Sequence, residues 1–178
     1  EGRPSLERIE VPGALPEEEA LRLAASLERG SEHPLAAAIV AAADDRGLSL
    51  VEAEDFESIP GRGIRGRVEG REVVLGGSKL LASVGIDVAG AKDRAEELRA
   101  SGHIVTLLGV AGELAGILAI TDPIKASTPE AVAALRRRGL RVVMLTGDGE
   151  TTARTVASKL EIDDVIAEVL PEEKRDHV

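Results

Sequence analysis

A carboxylate and an imidazole stand close together in the stretch Glu-Arg-Gly-Ser-Glu-His-Pro-Leu, residues 28–35. Apolar residues recur at helical spacing up to Gly30, a residue type that often ends a helix in the left-handed conformation. Pro34 suits the first position of a second helix, which Gly47 would end. At this corner Glu28 would offer an acceptor, and His33 a flat ring or a ring nitrogen, to a bound ligand. The alternative, which spacing alone favours, is a solvated Glu28 and a His33 that only caps the second helix.

Glycines form a second candidate. Gly61-Arg62-Gly63, with Gly66 beyond, falls between two predicted strands. Glycines there let the backbone approach a planar or anionic ligand and point its N–H groups at it. By itself the pattern is more typical of a hairpin turn with a bulge.

Thr146-Gly147-Asp148 follows an apolar strand and precedes a helix, the place where open α/β sheets bind ligands. Thr146 would hydrogen-bond a phosphate oxygen, which a helix N-terminus favours. Asp148 would hold Mg²⁺ or a ribose hydroxyl, or would simply cap the helix, and spacing does not separate these roles. Lys174, after Pro171, would neutralise a phosphate, or would be an ordinary surface lysine.

Several kinds of chemistry lack their residues. No Asp precedes Lys-Thr-Gly, so the loop of an aspartyl-phosphate enzyme is missing, and no P-loop occurs. The chain has no cysteine, which excludes disulfides, zinc knuckles and thiol catalysis. Its three histidines are scattered, so the sequence predicts no metal site.

Composition narrows the class of protein. The 178 residues are 43% hydrophobic and 30% charged, as in a globular protein with a real core. The net charge of −10 would repel nucleic acid, and with 1% aromatic residues the chain is not expected to bind single strands by base stacking. No apolar run has the length of a membrane span, and the first residues look like the middle of a longer chain.

The order of predicted elements gives two architectures. A short edge strand at 6–11 and the helical corner at 17–47 come first. Strands at 48–59, 63–68, 71–76, 104–110 and 113–120, with helices at 78–84 and 89–100, then predict an α+β layer built on an antiparallel sheet. Beyond Asp122, helices at 128–138 and 150–160 alternate with strands at 141–145 and 165–168, which predicts a parallel α/β sheet.

Together these stretches resemble the cytoplasmic ATP-binding region of heavy-metal P-type ATPases, in particular the copper exporters. Ser31-Glu32-His33-Pro34-Leu35 is similar to a signature of that subfamily, and Gly61-Arg62-Gly63 to its glycine pair. Asp122-Pro123-Ile124-Lys125 is similar to the hinge that leads into the phosphorylation domain. Thr146-Gly147-Asp148 and Pro171-Glu172-Glu173-Lys174 resemble the second and third motifs of the haloacid-dehalogenase-like domain. Gly77 stands where the family usually has an Asn.

The resemblance implies a connecting segment (1–11), an antiparallel nucleotide-binding domain flanked by helical hairpins (12–120) and a partial haloacid-dehalogenase-like phosphorylation domain (121–178). It implies that Glu28, His33, Gly61 and Gly63 surround the adenine, that Asp148 belongs to the nucleotide site, and that Thr146 and Lys174 contact phosphate. ATP or ADP would be the ligand, with Mg²⁺ in the complete enzyme.

The catalytic aspartate would lie outside this chain, so the chain alone would be inactive. Its partners would be the remaining phosphorylation, actuator and transmembrane parts of a pump in the cell membrane, whose cytoplasmic domain this is. Two alternatives are a soluble haloacid-dehalogenase-type phosphatase and a non-enzymatic nucleotide-binding regulatory module.

Overall fold

The computed structural model describes residues 3–125, 127–147 and 149–169. At the centre of the larger part lies a six-stranded antiparallel sheet in the order β1-β6-β5-β4-β3-β2. Its strands are β1 (Ser5–Glu10), β2 (Glu54–Ile59), β3 (Gly63–Val68), β4 (Arg71–Gly76), β5 (Ile104–Val110) and β6 (Glu113–Thr121). The antiparallel α+β architecture predicted from the sequence is therefore confirmed. The predicted edge strand also forms, since β1 pairs with β6 at the end of this sheet.

Two helices cover one face of the sheet. They are α1 (Glu17–Glu28) and α2 (Pro34–Asp45), which form the two arms of the predicted corner. Leu21, Leu23 and Leu27 of α1 and Ile39 of α2 are fully buried against Val68, Val73, Leu108 and Leu118 of the sheet. Because the apolar residues of α1 recur at helical spacing, one stripe of the helix meets the sheet and its polar side faces solvent.

The opposite face is covered by shorter elements, a second helical layer. They are α3 (Ser78–Ser83), a 3₁₀ turn at Ala89–Ala91 and α4 (Lys92–Ala100). Leu81 of α3 and Leu98 of α4 pack with Val74 and Leu107, whose side chains point to the opposite side from their neighbours Val73 and Leu108. This alternation is expected of strands covered on both faces.

Tight turns set the register of two hairpins. Glu69 and Gly70 join β3 to β4 with φ of 51° and 74°, and Ala111 and Gly112 join β5 to β6 with φ of 50° and 83°. Two consecutive positive φ angles define the turn whose twist matches that of paired strands. The sequence predicts the strands on either side of each pair, and both hairpins form.

Two local predictions were wrong. The strand predicted at 48–59 begins only at Glu54, because residues 48–53 lie along α1, where the Ser26 hydroxyl accepts a hydrogen bond from Val51 N–H at 3.2 Å. Gly30 does not end α1 in the left-handed conformation. It is needed for another reason, since a Cβ there would lie 3.1 Å from the ring of Phe56. Gly47, with φ of 67°, does end α2 as predicted.

A second, smaller sheet follows the first in the chain. Strands β7 (Val143–Leu145) and β8 (Asp164–Ile166) pair in parallel, and helices α5 (Thr128–Arg137) and α6 (Glu150–Lys159) accompany them. The predicted alternation of helix and parallel strand is thus confirmed. Helix α6 contacts the larger layer: Thr151 hydrogen-bonds Glu96 of α4, and the Thr152 hydroxyl donates to the carbonyl of His103, which precedes β5, at 3.1 Å. None of the described helices has the length and apolar character needed to cross a membrane.

Candidate functional site

The corner between α1 and α2 lies on the hairpin formed by β2 and β3. Gly30 of the corner faces the Phe56 ring, and a Cβ on Gly66 of β3 would lie 2.9 Å from the Leu27 side chain and 3.0 Å from the Glu54 carbonyl oxygen. These two glycines allow the end of α1 to approach the strands closely. The helix end that carries Glu28 therefore lies against Gly66, the glycine that follows the predicted Gly61-Arg62-Gly63 pair along the chain.

Glu28 is the most unusual side chain of this region. It lies in the last turn of α1, and only 7% of its surface is exposed, so the interpretation as a solvated helix-end charge is wrong. Its Oε2 atom is buried without a hydrogen-bond partner among the described residues. Burial raises the pKa of the Glu28 carboxyl to about 7, although a hydrogen bond from the Ser31 side chain acts in the opposite direction. A buried acceptor that lacks a donor is costly, which indicates a place for a ligand donor.

His33 caps α2, as the structural alternative predicted. Its Nδ1 atom accepts a hydrogen bond from the backbone N–H of Leu35 at 3.2 Å. The backbone N–H of His33 donates to the Ser31 hydroxyl at 3.3 Å. Because Nδ1 is an acceptor, the neutral ring carries its proton on Nε2. The cap thus fixes the orientation of the ring and leaves it exposed at the corner with a donor at its outer edge. Capping and ligand binding are compatible roles for this side chain.

The glycine turn is held by backbone hydrogen bonds. Arg62 N–H donates to the Ile59 carbonyl at 3.0 Å, and the Arg62 carbonyl accepts from Gly77 N–H at 3.2 Å. Gly61 has φ of 68° and Gly63 has φ of 142°, values that L side chains rarely adopt. The structure therefore joins the glycine turn to Gly77, the residue that stands in place of the family's Asn.

Of the two residues predicted to contact phosphate, Thr146 lies next to the smaller sheet and Lys174 lies outside the described residues. Thr146 follows β7 in the smaller sheet, where its N–H donates to the Ile166 carbonyl at 3.0 Å and its carbonyl accepts from Val169 N–H at 3.1 Å. These bonds hold the loop at the carboxyl end of parallel strands, where the sequence predicted it. Asp148 and Lys174 lie outside the described residues.

Sequence reasoning missed two contributors to the corner. Phe56 packs on Gly30, and Ser31 connects Glu28 to the backbone of His33. Phe56 is the single aromatic residue of the chain, which is a signal that could have drawn attention to it. Within the described ranges, no group of three or more His, Cys, Asp or Glu side chains could hold a metal ion.

Comparison with known proteins identifies the class first. The family model for a haloacid dehalogenase-like hydrolase matches residues 8–177. The chain therefore belongs to the haloacid dehalogenase-like hydrolase family.

Similar proteins narrow the class of protein further and confirm the resemblance of this chain to heavy-metal P-type ATPases. A copper-transporting P-type ATPase of Rhizobium leguminosarum bv. viciae is 49% identical over 175 residues, which are 98% of this chain and 21% of the relative. A crystal structure of a zinc-transporting PIB-type ATPase in the E2.Pi state matches with a TM-score of 0.66 and 31% identity, covering 99% of this chain and 28% of that one.

The catalytic domain of the CPx-ATPase CopB-B shares the fold. It has a TM-score of 0.73 at 23% identity, with 99% of this chain and 60% of that chain covered. The chain thus spans about a fifth of the length of the curated relative that it matches.

Proposed function

We propose that this chain is the cytoplasmic ATP-binding region of a copper-exporting P-type ATPase. It binds ATP between the α1–α2 corner and the β2–β3 hairpin, and presents the γ-phosphate to an aspartate outside the chain. The observation that carries the proposal is the buried Glu28 carboxyl, whose unpartnered Oε2 lies at the corner that packs on the glycine hairpin. The 6-amino group of adenine is a donor of the kind that this acceptor lacks.

The other candidate site residues have the following roles in this proposal. The His33 ring stacks on the base or donates from Nε2, and Gly61 and Gly63 let the turn approach the nucleotide. Thr146 and Lys174 contact phosphate, and Asp148 belongs to the nucleotide site. The partners of this chain are the rest of the phosphorylation domain, the actuator domain and the membrane part of the pump. Mg²⁺ acts in the complete enzyme, and ATP binding here depends little on it.

An NMR titration with ATP, ADP, AMP and GTP tests the proposal directly. Saturable shifts at Glu28, His33 and residues 61–63, with adenine preferred over guanine, are the expected result. Adenine contacts without an aromatic sandwich imply modest affinity, because Phe56, the single aromatic residue, packs on the corner itself. No saturable shifts at these residues would contradict the proposal. Phosphate release from ATP that depends on His33 would instead support a phosphatase.

His33 offers a variant that separates its two roles. Asn is a good N-cap, so His33→Asn should keep α2 capped and retain the stability of the fold while it removes the imidazole. We expect ATP affinity to fall by about tenfold, which corresponds to about 1.4 kcal/mol of lost stacking or hydrogen bonding. Binding is measured by NMR titration and stability by urea unfolding. Glu32→Gln, at an exposed position of the same corner, is the control. Unchanged ATP affinity in His33→Asn would exclude the imidazole from the site.

A substitution at Gly77 tests the site by an expected gain of ATP affinity. Its φ of −75° suits any residue, and a Cβ there would meet nothing within 4 Å. Gly77→Asn should therefore fold normally and place an amide beside the glycine turn, to which Gly77 is hydrogen-bonded. We expect ATP to bind about fivefold more tightly, the effect of one net hydrogen bond of about 1 kcal/mol. Gly77→Ala is the matched control, and equal affinities of the two variants would show that the amide does not reach the nucleotide.

A further inference from the structure

The Glu28 carboxyl is buried with one oxygen unsatisfied. Oε2 is inaccessible to solvent and has no hydrogen-bond partner among the described residues. The Ser31 side chain is the one neighbour that stabilises the ionised form. An ionised carboxylate accepts several hydrogen bonds and pays a large desolvation cost when it does not receive them. The surroundings of Glu28 therefore suit a neutral carboxylic acid better than a carboxylate.

The charged groups around Glu28 do not change this conclusion. Burial and the Ser31 hydrogen bond are the two influences on the pKa of Glu28, and no described cation or anion adds to them. The ionisable side chains of the packing elements near Glu28 are exposed: Arg29, Glu32 and His33 of the corner, Glu54, Asp55 and Glu57 of β2, Arg62 of the turn, and Arg65 and Arg67 of β3. Arg65 is paired with Glu57 at 2.6 Å, so its charge is already compensated.

The two protonation states of a carboxyl group recognise different bases. A neutral carboxylic acid has one donor and one acceptor side by side. Adenine has the complementary pair, because its 6-amino donor lies beside a ring-nitrogen acceptor. A carboxylate has acceptors alone, so it receives one amino hydrogen from adenine and faces the lone pair of the ring nitrogen. Guanine, in contrast, offers a carboxylate two adjacent donors, its N1–H and its 2-amino group.

We propose that Glu28 binds the adenine base as a neutral carboxylic acid, so that ATP binding takes up a proton and adenine is selected by that proton. This inference rests on the proposed function and adds the protonation state on which base selection depends. The free carboxyl, with its pKa raised to about 7 by burial, exchanges its proton close to neutral pH. ATP affinity should therefore fall as the pH rises above neutrality, whereas GTP affinity should not.

Calorimetry of ATP binding at about pH 8, in two buffers of different ionisation enthalpy, counts the protons taken up. At that pH the phosphates of ATP and an ordinary histidine are already deprotonated. The wild-type protein should take up close to one proton per ATP bound. Glu28→Gln, whose amide has one donor and one acceptor in the same places, should take up none. Its ATP affinity should be constant between about pH 6.5 and pH 8.5, where that of the wild type falls about 25-fold.

The possible results distinguish a failure of the neutral-acid inference from a failure of the proposed function. ATP binding without proton uptake in the wild type, or complete loss of ATP binding in Glu28→Gln at every pH, would overturn the neutral-acid inference and leave the nucleotide site intact. No saturable ATP binding by the wild type at any pH would overturn the proposed function itself. Far-ultraviolet circular dichroism of Glu28→Gln establishes that it is folded. Repeating the pH series in the His33→Asn background removes any contribution of the imidazole, and the same fall in ATP affinity should persist there.

Discussion

Gly63→Ala is expected to lower the free energy of unfolding by about 2–4 kcal/mol and to abolish ATP binding. Gly63 has φ of 142°, and a Cβ on it would lie 2.7 Å from the Cα of Gly76 and 2.8 Å from the Leu80 side chain. Backbone atoms cannot move aside as the end of a flexible side chain can. The strain would displace β3 from β4, because Gly63 pairs with both Ile59 and Gly76.

Gly70→Ala is the matched control for this variant. Gly70 also has a positive φ, 74°, but a Cβ there would meet nothing within 4 Å. It should therefore cost about 1–2 kcal/mol from backbone strain alone and leave ATP binding unchanged. Urea unfolding must be followed by circular dichroism, since the chain has no Trp and no Tyr. Wild-type stability and ATP affinity in Gly63→Ala would show that the turn tolerates the added methyl group and would contradict the expected steric conflict.

Raising the pH is expected to destabilise the protein through Glu28. Its pKa is about 7 in the folded state against 4.5 for an ordinary glutamate side chain, so between these values the folded state holds a proton that the unfolded state has lost. The stabilisation is fully present below the unfolded pKa, declines as the pH rises from 4.5 towards 7, and is absent above. A shift of this size corresponds to about 3 kcal/mol.

The effect is isolated by comparing Glu28→Gln with the wild type across this range. Carboxylates with lowered pKa values, such as Glu7 and Glu10, act in the opposite direction at acid pH, but they are common to both proteins and cancel in the difference. We expect the stability of Glu28→Gln relative to the wild type to rise with pH by up to about 3 kcal/mol. Glu32→Gln, at an exposed position, should show no such trend. A difference between Glu28→Gln and the wild type that stays constant with pH would mean that Glu28 is ionised in the folded state at no extra cost.

The local sequence pattern was enough to predict most helices and strands of the fold. Strands β3 and β4 and both hairpin turns depend on neighbouring residues, alternating side chains and Gly-containing pairs, and these features are visible in the sequence. The first half of the strand predicted at 48–59 does not form, because the apolar residues of 48–53 pack on α1 instead of pairing. That choice between two partners is made by the whole fold and leaves no local signal.

The sequence by itself also determined the residue types of the candidate site: a glutamate, a histidine and a pair of glycines in recognisable motifs. Whether Glu28 is a surface charge or a buried acid was decided by tertiary structure alone. The end of α1 lies on the β2–β3 hairpin because Gly30 leaves room for Phe56 and Gly66 leaves room for Leu27. That contact brings together residues that are far apart in the chain, and it removes the water that would otherwise solvate the carboxylate. The raised pKa of Glu28 is a consequence of this desolvation, which no reading of neighbouring residues could supply.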